Sequence, residues 1–310
     1  MKSQLAYKDV YLLPQKTVVH SRRECDTSVN FGGFRFDMPI LPANMRSVIN
    51  EQTCEYFARK NWFYTMHRFD VDTVAFAKHM RGNGLIVSVS TGIDLSDLES
   101  LKAIGISPEY ITIDIANAWS IQVQESIGKI KSIHPKSFLI VGNVATYDAT
   151  VDLQSWGADA VKVGIAGGKV CITRDKTGFH RPMVSTVLDC SVANIPIIAD
   201  GGVQTHGDIA KAIACGATMV MAGSLFAGYD ESAGDIVEIN GREYKEYFGS
   251  ASEFNKKQRK NIEGKKILVD YKGPMDPLIA ELKEDLQSSI SYAGGKDLSA
   301  LHQGLLIKVE

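Results

Sequence analysis

The chain has 310 residues, of which 45% are hydrophobic and 23% charged, with a formal net charge of −2 at pH 7. This composition excludes a disordered, collagen-like or coiled-coil protein, and the small net charge argues against a nucleic-acid or membrane partner. No apolar run approaches the ~20 residues that span a bilayer, and the first residues lack the apolar core of a signal peptide. The five cysteines form no Cys-x-x-Cys pair. A disulfide framework or zinc site is therefore not expected, and the reducing cytoplasm is the expected compartment.

Eight short β-rich runs follow one another along the chain, most of them apolar throughout, as strands buried on both faces are. They cover residues 40–45, 62–67, 86–91, 110–116, 138–144, 160–165, 195–202 and 218–225. Stretches with helical spacing lie between most successive runs. Eight strands, each followed by a crossover, predict an α/β fold of the (β/α)8 TIM-barrel type. A doubly wound sheet is the alternative, but no Gly-x-Gly-x-x-Gly follows any run. We expect one catalytic domain over residues 1–310, without an inserted regulatory domain.

Two segments stand outside this repeat. Residues 29–39 read as a small hairpin that plugs the bottom of the barrel. Residues 229–277 carry a hairpin turn at Asn240-Gly241 and then a basic stretch over 255–266. We expect this long interval to be a short flap inserted after the eighth strand; the alternative is a solvated surface excursion. An amphipathic helix is predicted over 277–290.

The ends of the predicted strands carry the candidate chemistry, because active sites of such barrels lie at the carboxyl ends of the strands. Gly201, Gly202 and Gly223 would let backbone amides approach a phosphate, with Ser224 beside them. The alternative is that these glycines only permit tight turns. Asp200 would repel a phosphate, so we expect it to bind a neutral diol such as a ribose.

Cys171 is the candidate nucleophile. It lies in a polar, glycine-rich loop after the sixth run, with Lys169, Arg174 and Lys176 nearby. Cationic neighbours favour the thiolate, which is the reactive form. The other four cysteines are expected to be inert, since a lone cysteine usually behaves as a small hydrophobic residue.

A set of motifs then makes a resemblance specific. They are SRRECDT, LPANM, MHRF, ITIDIAN, GNVAT, VKVG…VCIT…KTG, IIADGG, HGDIAKAI, GSLFAG, EYFGSAS, EGKK and SSISYAGG. Through them the chain resembles the family of IMP dehydrogenases and GMP reductases over nearly its whole length. The reductase branch is favoured for three reasons. There is no room for a regulatory domain between the second and third runs, the lid segment is short, and NIEGKK lacks the Arg-Tyr pair of the dehydrogenase flap.

The resemblance implies an NADPH-dependent oxidoreductase that deaminates GMP to IMP and ammonia, in purine nucleotide interconversion and salvage. Cys171 then corresponds to the nucleophile that forms a covalent thioimidate at carbon 2 of the purine. Thr173 and Glu263 correspond to a proton-relay pair.

The resemblance also implies the binding residues and the assembly. The implied substrate-binding residues are Met45, Asn143, Asp200, Gly201, Gly202, Gly223, Ser224, Gly249 and Ser250. The implied cofactor-binding residues are Ser21, Arg22, Arg68, Asp114, Ile115, Ala116 and Tyr292. Ser21, Arg22 and Tyr292 would reach a cofactor bound to a neighbouring subunit, because the family is typically a homotetramer.

The sequence departs from the family pattern at three places. Ala166-Gly167-Gly168 replaces Gly-Pro-Gly in a loop whose carbonyls bind potassium in relatives. The corresponding ligands here would be the carbonyls of Ala166, Gly168 and Cys171. Ala118-Trp119 and residues 180–183 also differ. These changes leave three alternatives open: an IMP dehydrogenase, a reductase of a modified purine nucleotide, and a catalytically inert nucleotide-binding barrel.

Overall fold

The computed structural model describes residues 4–256, 262–304 and 306–308. Its strands are β1 Val10–Leu12, β2 Val29–Phe31, β3 Phe34–Phe36, β4 Ile40–Pro42, β5 Ser88–Thr91, β6 Tyr110–Asp114, β7 Phe138–Val144, β8 Ala160–Val163, β9 Ile197–Asp200, β10 Met219–Ala222, β11 Ile236–Ile239, β12 Arg242–Phe248, β13 Lys266–Asp270 and β14 Leu306–Lys308. Its α-helices are α1 Glu51–Arg59, α2 Thr73–Gly82, α3 Ser96–Ala103, α4 Ile121–Ile133, α5 Tyr147–Trp156, α6 Thr173–Thr177, α7 Met183–Cys190, α8 Gly207–Ala214, α9 Glu253–Lys256, α10 Asp276–Tyr292 and α11 Ser299–His302. Short 3-10 turns cover Tyr7–Asp9, Arg22–Glu24 and Ser191–Ala193.

The centre of the fold is a parallel sheet of seven strands in the order β4-β10-β9-β8-β7-β6-β5. Seven of the eight predicted runs form these strands. The first strand of this sheet in chain order, β4, pairs with its last, β10, and Ile40 lies opposite Val220. Several helices between the strands begin after a polar residue whose side chain accepts a hydrogen bond from the first turn. Asn50, for example, accepts from the backbone amide of Thr53 at the start of α1.

The prediction of a strand over residues 62–67 is wrong for the described structure. This segment is joined to β5 by a single parallel bridge between Met66 and Val89, in which the Met66 amide donates to the Ser88 carbonyl at 3.1 Å. The physical reason lies two residues earlier, where the hydroxyl of Tyr64 donates to the Ile86 carbonyl. The Tyr64 side chain thus occupies the Ile86 carbonyl, which would accept a backbone amide in a regular parallel pairing of strands. The sheet is therefore a curled sheet of seven strands.

The curl is evident from the packing on its concave face. One buried cluster collects side chains from six strands, which a flat sheet could not bring together: Leu41, Tyr110, Ile140, Ala160, Ile198 and Met221. A larger cluster on the convex face packs the sheet against the helices. This two-faced burial explains why most of the runs read as continuously apolar.

The predicted hairpin plug is confirmed. Strands β2 and β3 pair antiparallel, and the Phe31 ring stacks on Tyr110, at the amino end of β6, with 5.9 Å between centroids. Gly32 makes the turn with φ +57°, and a Cβ there would lie 2.5 Å from the Tyr110 ring. Glycine is therefore required by both backbone and space.

The long interval after β10 contains a three-stranded antiparallel sheet, β11-β12-β13. The two-residue turn predicted at Asn240-Gly241 is confirmed, with φ of +52° and +74°. Residues 257–261 of the basic stretch lie outside the described residues. The predicted amphipathic helix is confirmed as α10, which buries Leu278, Leu282, Leu286 and Ile290.

Among the helices in the described parts of the chain, none has the length and apolar character needed to cross a bilayer.

Candidate active site

Four polar side chains meet where the central strands β6 to β9 end. Lys162 of β8 donates to Asp200 Oδ2 at 2.7 Å and lies 3.1 Å from Asp114 Oδ1. It also donates to Asn143 Oδ1, and the Asn143 amide donates to Asp200 Oδ2 at 2.8 Å. The predicted gathering of Asp114, Asn143 and Asp200 at the carboxyl ends of the strands is thus observed.

Lys162 was missed in the sequence analysis. It is 2% exposed, and burial alone would lower the pKa of its ammonium. The carboxylates of Asp200 and Asp114 outweigh burial, so the pKa of Lys162 lies above its ordinary value. The available signal was a lysine inside the apolar run Ala-Val-Lys-Val, where a charge needs a buried partner.

Cys171 lies in the loop that follows β8 and is hydrogen bonded toward a carboxylate. Its thiol donates to Thr173 Oγ1 at 3.2 Å, and the Thr173 hydroxyl donates to Glu263 Oε2 at 2.7 Å. The three residues thus form a continuous chain from sulfur to carboxylate.

The backbone explains how Glu263 reaches this loop. The Ile172 amide donates to the Glu263 carbonyl at 2.8 Å, and the Lys265 amide donates to the Val170 carbonyl at 2.9 Å. Cys171 and Gly264 face each other across this antiparallel bridge. The segment that leads into β13 is therefore held directly against the cysteine loop.

Cys171 is the partly exposed member of the five cysteines, and the other four are buried. Burial raises the pKa of the thiols of Cys190 to about 11 and of Cys215 to about 12. It also raises the pKa values of the Cys25 and Cys54 thiols. These four thiols are protonated at neutral pH, as the sequence analysis expected of inert cysteines.

Glycine is needed at the ends of β9 and β10 for two different physical reasons. Gly201 and Gly202 have φ of +103° and +77°, so a tight turn alone requires glycine there. Gly223 has no such φ, but a Cβ on it would lie 2.5 Å from the Tyr247 hydroxyl and 3.4 Å from Met45 Sδ. Glycine is therefore needed at position 223 because neighbouring side chains lie too close for a Cβ. The predicted residues Met45, Gly223 and the adjoining Ser224 lie together.

Tyr247 is a second residue that the sequence analysis missed. Its side chain is 2% exposed, and burial raises its pKa above the ordinary value, so the phenol keeps its proton. Within the described residues the hydroxyl has no hydrogen-bond partner. A protonated donor is therefore available beside Gly223.

Gly249 and Ser250 follow β12 and lie beside the cysteine loop. A Cβ on Gly249 would lie 3.4 Å from the Val170 carbonyl oxygen. The Ser250 carbonyl accepts from the Asn255 side chain at 2.8 Å. The two predicted residues therefore border the space next to Cys171.

The predicted cofactor residues fall into two separate groups. In the first, Arg68 Nε donates to the Asp114 carbonyl at 3.2 Å, and Ile115 exchanges backbone hydrogen bonds with the Gly142–Asn143 segment. Ala116 follows directly on this segment. This first group adjoins the Lys162 cluster.

In the second group, Ser21 and Arg22 lie at the start of a short 3-10 turn, and Tyr292 lies at the end of α10. The Arg22 guanidinium stands 5.5 Å from the centre of the Tyr292 ring and donates to Ser288 Oγ at 3.1 Å. The Ser21 hydroxyl accepts from the Arg23 amide. No hydrogen bond or ion pair joins this group to Arg68 or Asp114 among the residues that the structure describes.

The loop expected to bind potassium is held in part by hydrogen bonds to its carbonyl groups. Its Ile165 carbonyl is 2.9 Å from His180 Nδ1, and the Gly167 and Gly168 carbonyls accept from the amides of Gly202 and Cys171 at 3.0 and 3.1 Å. Ala166 has φ +59°, a left-handed conformation. In the described part of the chain, the carbonyls of Ala166 and Cys171 have no partner.

The other departures from the family pattern have structural partners. Trp119 Nε1 donates to Asp152 at 2.8 Å, and Ala118 is fully buried. Arg181 pairs with Asp189 at 2.6 Å, and the buried Met183 lies against Gly202. These replacements are accommodated by packing and ion pairs around the site.

A curled parallel sheet with a thiol, a hydroxyl and a carboxylate linked at its carboxyl edge defines an α/β enzyme. Comparison with known proteins identifies the family within this class of enzymes. Residues 4–309 match the family described as IMP dehydrogenase / GMP reductase domain, and the chain belongs to this family. The resemblance carried by the motifs is thus confirmed.

Several relatives are similar over nearly the full length. The chain is 63% identical to the GMP reductase of Chromobacterium violaceum, covering 100% of this chain and 99% of that protein. It is 53% identical to the GMP reductase of Leptothrix cholodnii, over 96% of this chain and 93% of that one. It is 52% identical to the GMP reductase of Staphylococcus carnosus, with 96% and 94% covered.

Proposed function

We propose that the protein is an oxidoreductase that converts GMP and NADPH into IMP, ammonia and NADP⁺, in purine nucleotide interconversion and salvage. The observation that carries the proposal is the chain of hydrogen bonds from Cys171 through Thr173 to Glu263. The full-length similarity to proteins named GMP reductase supports the same reaction.

The first chemical step is displacement of ammonia. The Cys171 sulfur bonds to carbon 2 of guanine, and the bond from that carbon to the exocyclic nitrogen breaks. The nitrogen leaves as ammonia only if it gains a proton, because the unprotonated amide ion is a poor leaving group. Thr173 and Glu263 take the thiol proton and deliver a proton to this nitrogen, which leaves a thioimidate on Cys171.

The second step is reduction of the thioimidate. Bound NADPH supplies a hydride to carbon 2, the carbon–sulfur bond breaks, and Cys171 returns as a thiolate. Splitting displacement from reduction is the advantage of covalent catalysis. The segment 263–265 covers the cysteine loop and excludes water, whose attack on the thioimidate would give XMP.

The nucleotide is held by three sets of groups. The Asp200 Oδ1 atom, which has no partner among the described residues, accepts hydrogen bonds from the ribose. The Gly223 amide, Ser224 and the Tyr247 hydroxyl bind the phosphate. Gly201 and Gly202, whose amides donate to the carbonyls of Met221 and Gly167, form the turn beside it. Met45 packs on the base, with Asn143, Gly249 and Ser250 around it.

NADPH fits the groups around Arg68. The guanidinium lies 4.5 Å from the Phe69 ring centre and provides positive charge for a dinucleotide. Asp114 keeps one carboxylate oxygen without a partner in the part of the chain that is described, which suits a ribose hydroxyl. Ile115 and Ala116 line the same edge.

We further propose that the assembly is a cytoplasmic homotetramer in which Ser21, Arg22 and Tyr292 contact the dinucleotide bound to a neighbour. The support is that, among the described residues, no hydrogen bond or ion pair links these residues to the group around Arg68. A single catalytic domain spans residues 1–310, with no inserted regulatory domain.

We also propose that the curled sheet closes into a (β/α)8 barrel, with the irregular segment 62–67 filling the position between β4 and β5 at the two ends of the sheet. The bridge from Met66 to Val89 and the burial of Phe63 in the concave cluster support this closure. The segment with β11 to β13 then acts as a flap over the mouth of the barrel.

A potassium ion would be held by the backbone carbonyls of Ala166, Gly168 and Cys171. Two of these carbonyls have no partner in the described residues, and a carbonyl such as that of Gly168 has a second lone pair. The ion would add positive charge beneath the cysteine loop. Because hydrogen bonds already hold this loop, we expect its contribution to be small.

The direct test is to mix the full chain with GMP and NADPH and to follow the absorbance of the reduced nicotinamide. We expect the absorbance to fall and IMP to form. Reduction of NAD⁺ with IMP, without the GMP reaction, would instead identify an IMP dehydrogenase. Turnover only with a modified purine nucleotide would identify a different substrate.

A further inference from the structure

Lys162 connects two carboxylates that the proposed function assigns to different ligands. Its ammonium contacts Asp200 Oδ2 at 2.7 Å and Asp114 Oδ1 at 3.1 Å, and it also donates to Asn143. An ammonium has three N–H donors, and all three have an acceptor here. Each carboxylate is engaged by Lys162 through one oxygen and keeps the other free among the described residues.

The charges around these carboxylates make Lys162 their main counter-ion. Tyr247 and Tyr7 face Asp200, and burial raises the pKa of both phenols, so they are neutral at pH 7. His67 faces Asp114, and burial lowers the pKa of His67 to about 4, so this ring is also neutral. Arg68 bonds to the backbone carbonyl of Asp114. Within the described residues, Lys162 alone forms an ion pair with either carboxylate.

We propose that Lys162 is a positioning residue shared by two subsites. Through Asp200 it orients the group that holds the ribose of GMP, and through Asp114 it orients a group on the side of the hydride donor. This inference rests on the proposed function. Since one ammonium serves both carboxylates, its loss disturbs the binding of both ligands, whereas the loss of either carboxylate disturbs one.

The first test is Lys162→Met, which keeps most of the length of the side chain and removes its charge. We expect the Kd for GMP and the Kd for NADPH both to rise about tenfold or more, as for the loss of a hydrogen bond to a charged group. Calorimetric titration of each ligand alone gives the two constants. Lys131→Met is the matched control, because Lys131 pairs with Asp159 at the opposite end of β8. In that control both Kd values stay unchanged.

The second test separates charge from packing. In Lys162→Met two carboxylates face each other without a cation, so the pair favours uptake of a proton. GMP affinity then depends more steeply on pH in the variant than in the parent, because the two carboxylates share the proton. Adding Asp114→Asn removes one of the two charges, so the double variant recovers GMP affinity but not NADPH affinity. A packing role would show neither the pH dependence nor the recovery.

The outcomes are distinct. A parent protein that binds no GMP contradicts the proposed function. A parent that binds GMP, with a folded Lys162→Met that binds both ligands equally well at every pH, overturns the role of Lys162. If Lys162→Met does not fold, the charge-balanced double variant carries the test. Its GMP affinity is expected within a few fold of the parent, and a loss of tenfold or more would overturn the inference.

Discussion

The hydroxyl of Thr173 donates to the carboxylate of Glu263 at 2.7 Å, although 90 residues separate the two in sequence. The same hydroxyl accepts from the Cys171 thiol at 3.2 Å. A hydroxyl that accepts from sulfur and donates to a carboxylate is the arrangement needed to carry a proton between them. The antiparallel bridge between Cys171 and Gly264 fixes it.

Glu263→Gln is expected to lower kcat by about 10²- to 10⁴-fold and to change the KM for GMP little, because glutamine keeps the shape but cannot accept and return a proton. Steady-state kinetics of the variant measure both constants. Glu238→Gln is the control, since Glu238 is exposed in the distant hairpin strand β11. Unchanged kinetics in Glu263→Gln would show that Glu263 is a surface carboxylate without a role in proton transfer.

Asp200→Asn is expected to raise the KM for GMP by about 10- to 150-fold, the equivalent of the 1.5–3 kcal/mol carried by a hydrogen bond to a charged group. A role as a helix cap is not supported, because the amides before α8 are capped by Asp208. Steady-state kinetics and thermal unfolding of Asp200→Asn distinguish a role in binding GMP from a structural role. A large fall in Tm with a normal KM would assign Asp200 a structural role only.

Ala166→Gly is expected to stabilise the protein. Alanine at φ +59° carries a strain of about 1–2 kcal/mol, and only part of the gain is offset by the greater freedom of glycine in the unfolded chain, about 0.4–1 kcal/mol. Urea unfolding measures the difference. Ala280→Gly, at an exposed position inside α10, should instead destabilise by about 1 kcal/mol. If both variants lose stability equally, Ala166 is not strained.

Gly167→Pro tests the cation loop. A Cβ at Gly167 meets its neighbours at 3.5 Å, which is ordinary contact, and in the described residues its amide donates no hydrogen bond. Proline would restore the rigidity of the family pattern, so we expect tighter GMP binding or faster turnover and a stronger stimulation by potassium. Potassium is titrated against activity in both proteins. An equal, strong response in the parent would mean that its loop already has the family geometry.

Acid sensitivity is expected from His67. Burial and the nearby Arg46 lower the pKa of His67 from 6.5 to about 4, and its Nδ1 accepts from the Phe69 amide at 3.2 Å. The folded protein therefore binds the proton less readily than the unfolded chain. The stability is fully present above pH 6.5 and is lost as the pH falls toward 4, by about 3 kcal/mol in all.

Urea unfolding at several pH values between 7 and 4 checks this prediction. His67→Asn keeps an acceptor for the Phe69 amide and should lose less stability over that range than the parent does. His20→Asn, at an exposed position, should follow the parent. Parallel curves for all three proteins would rule out His67 as the source of the acid sensitivity.

Much of the fold was predictable because buried parallel strands have a strong signature. Seven of the eight apolar runs form the central sheet, and the turn at Asn240-Gly241 has the backbone that its residues favour. The run at 62–67 is equally apolar, yet it is joined to β5 by a single bridge. The sequence alone cannot show that the Tyr64 hydroxyl donates to the backbone carbonyl of Ile86.

The site was predictable where residue type alone limits the chemistry, as for Cys171 in a polar loop. The pairing of Cys171 with Glu263 came from family resemblance, since no local pattern joins residues so far apart. Lys162 was missed because it lies inside the apolar run Ala160–Val163. Tyr247 was missed because its strand, Arg242–Phe248, is rich in charged residues and gives no sign of a buried side chain. Their roles follow from what faces them across the sheet: two carboxylates for Lys162 and Gly223 for Tyr247.

The central claim is a reductive deamination that passes through a bond to Cys171, and product analysis with GMP and NADPH tests it most directly. IMP, ammonia and oxidised dinucleotide should form in equal amounts, and mass spectrometry of acid-quenched enzyme should find the nucleotide adduct on the peptide that contains Cys171. Cys171→Ala should bind GMP but form no product. Product formation by the alanine variant, or an adduct on another residue, would contradict the account.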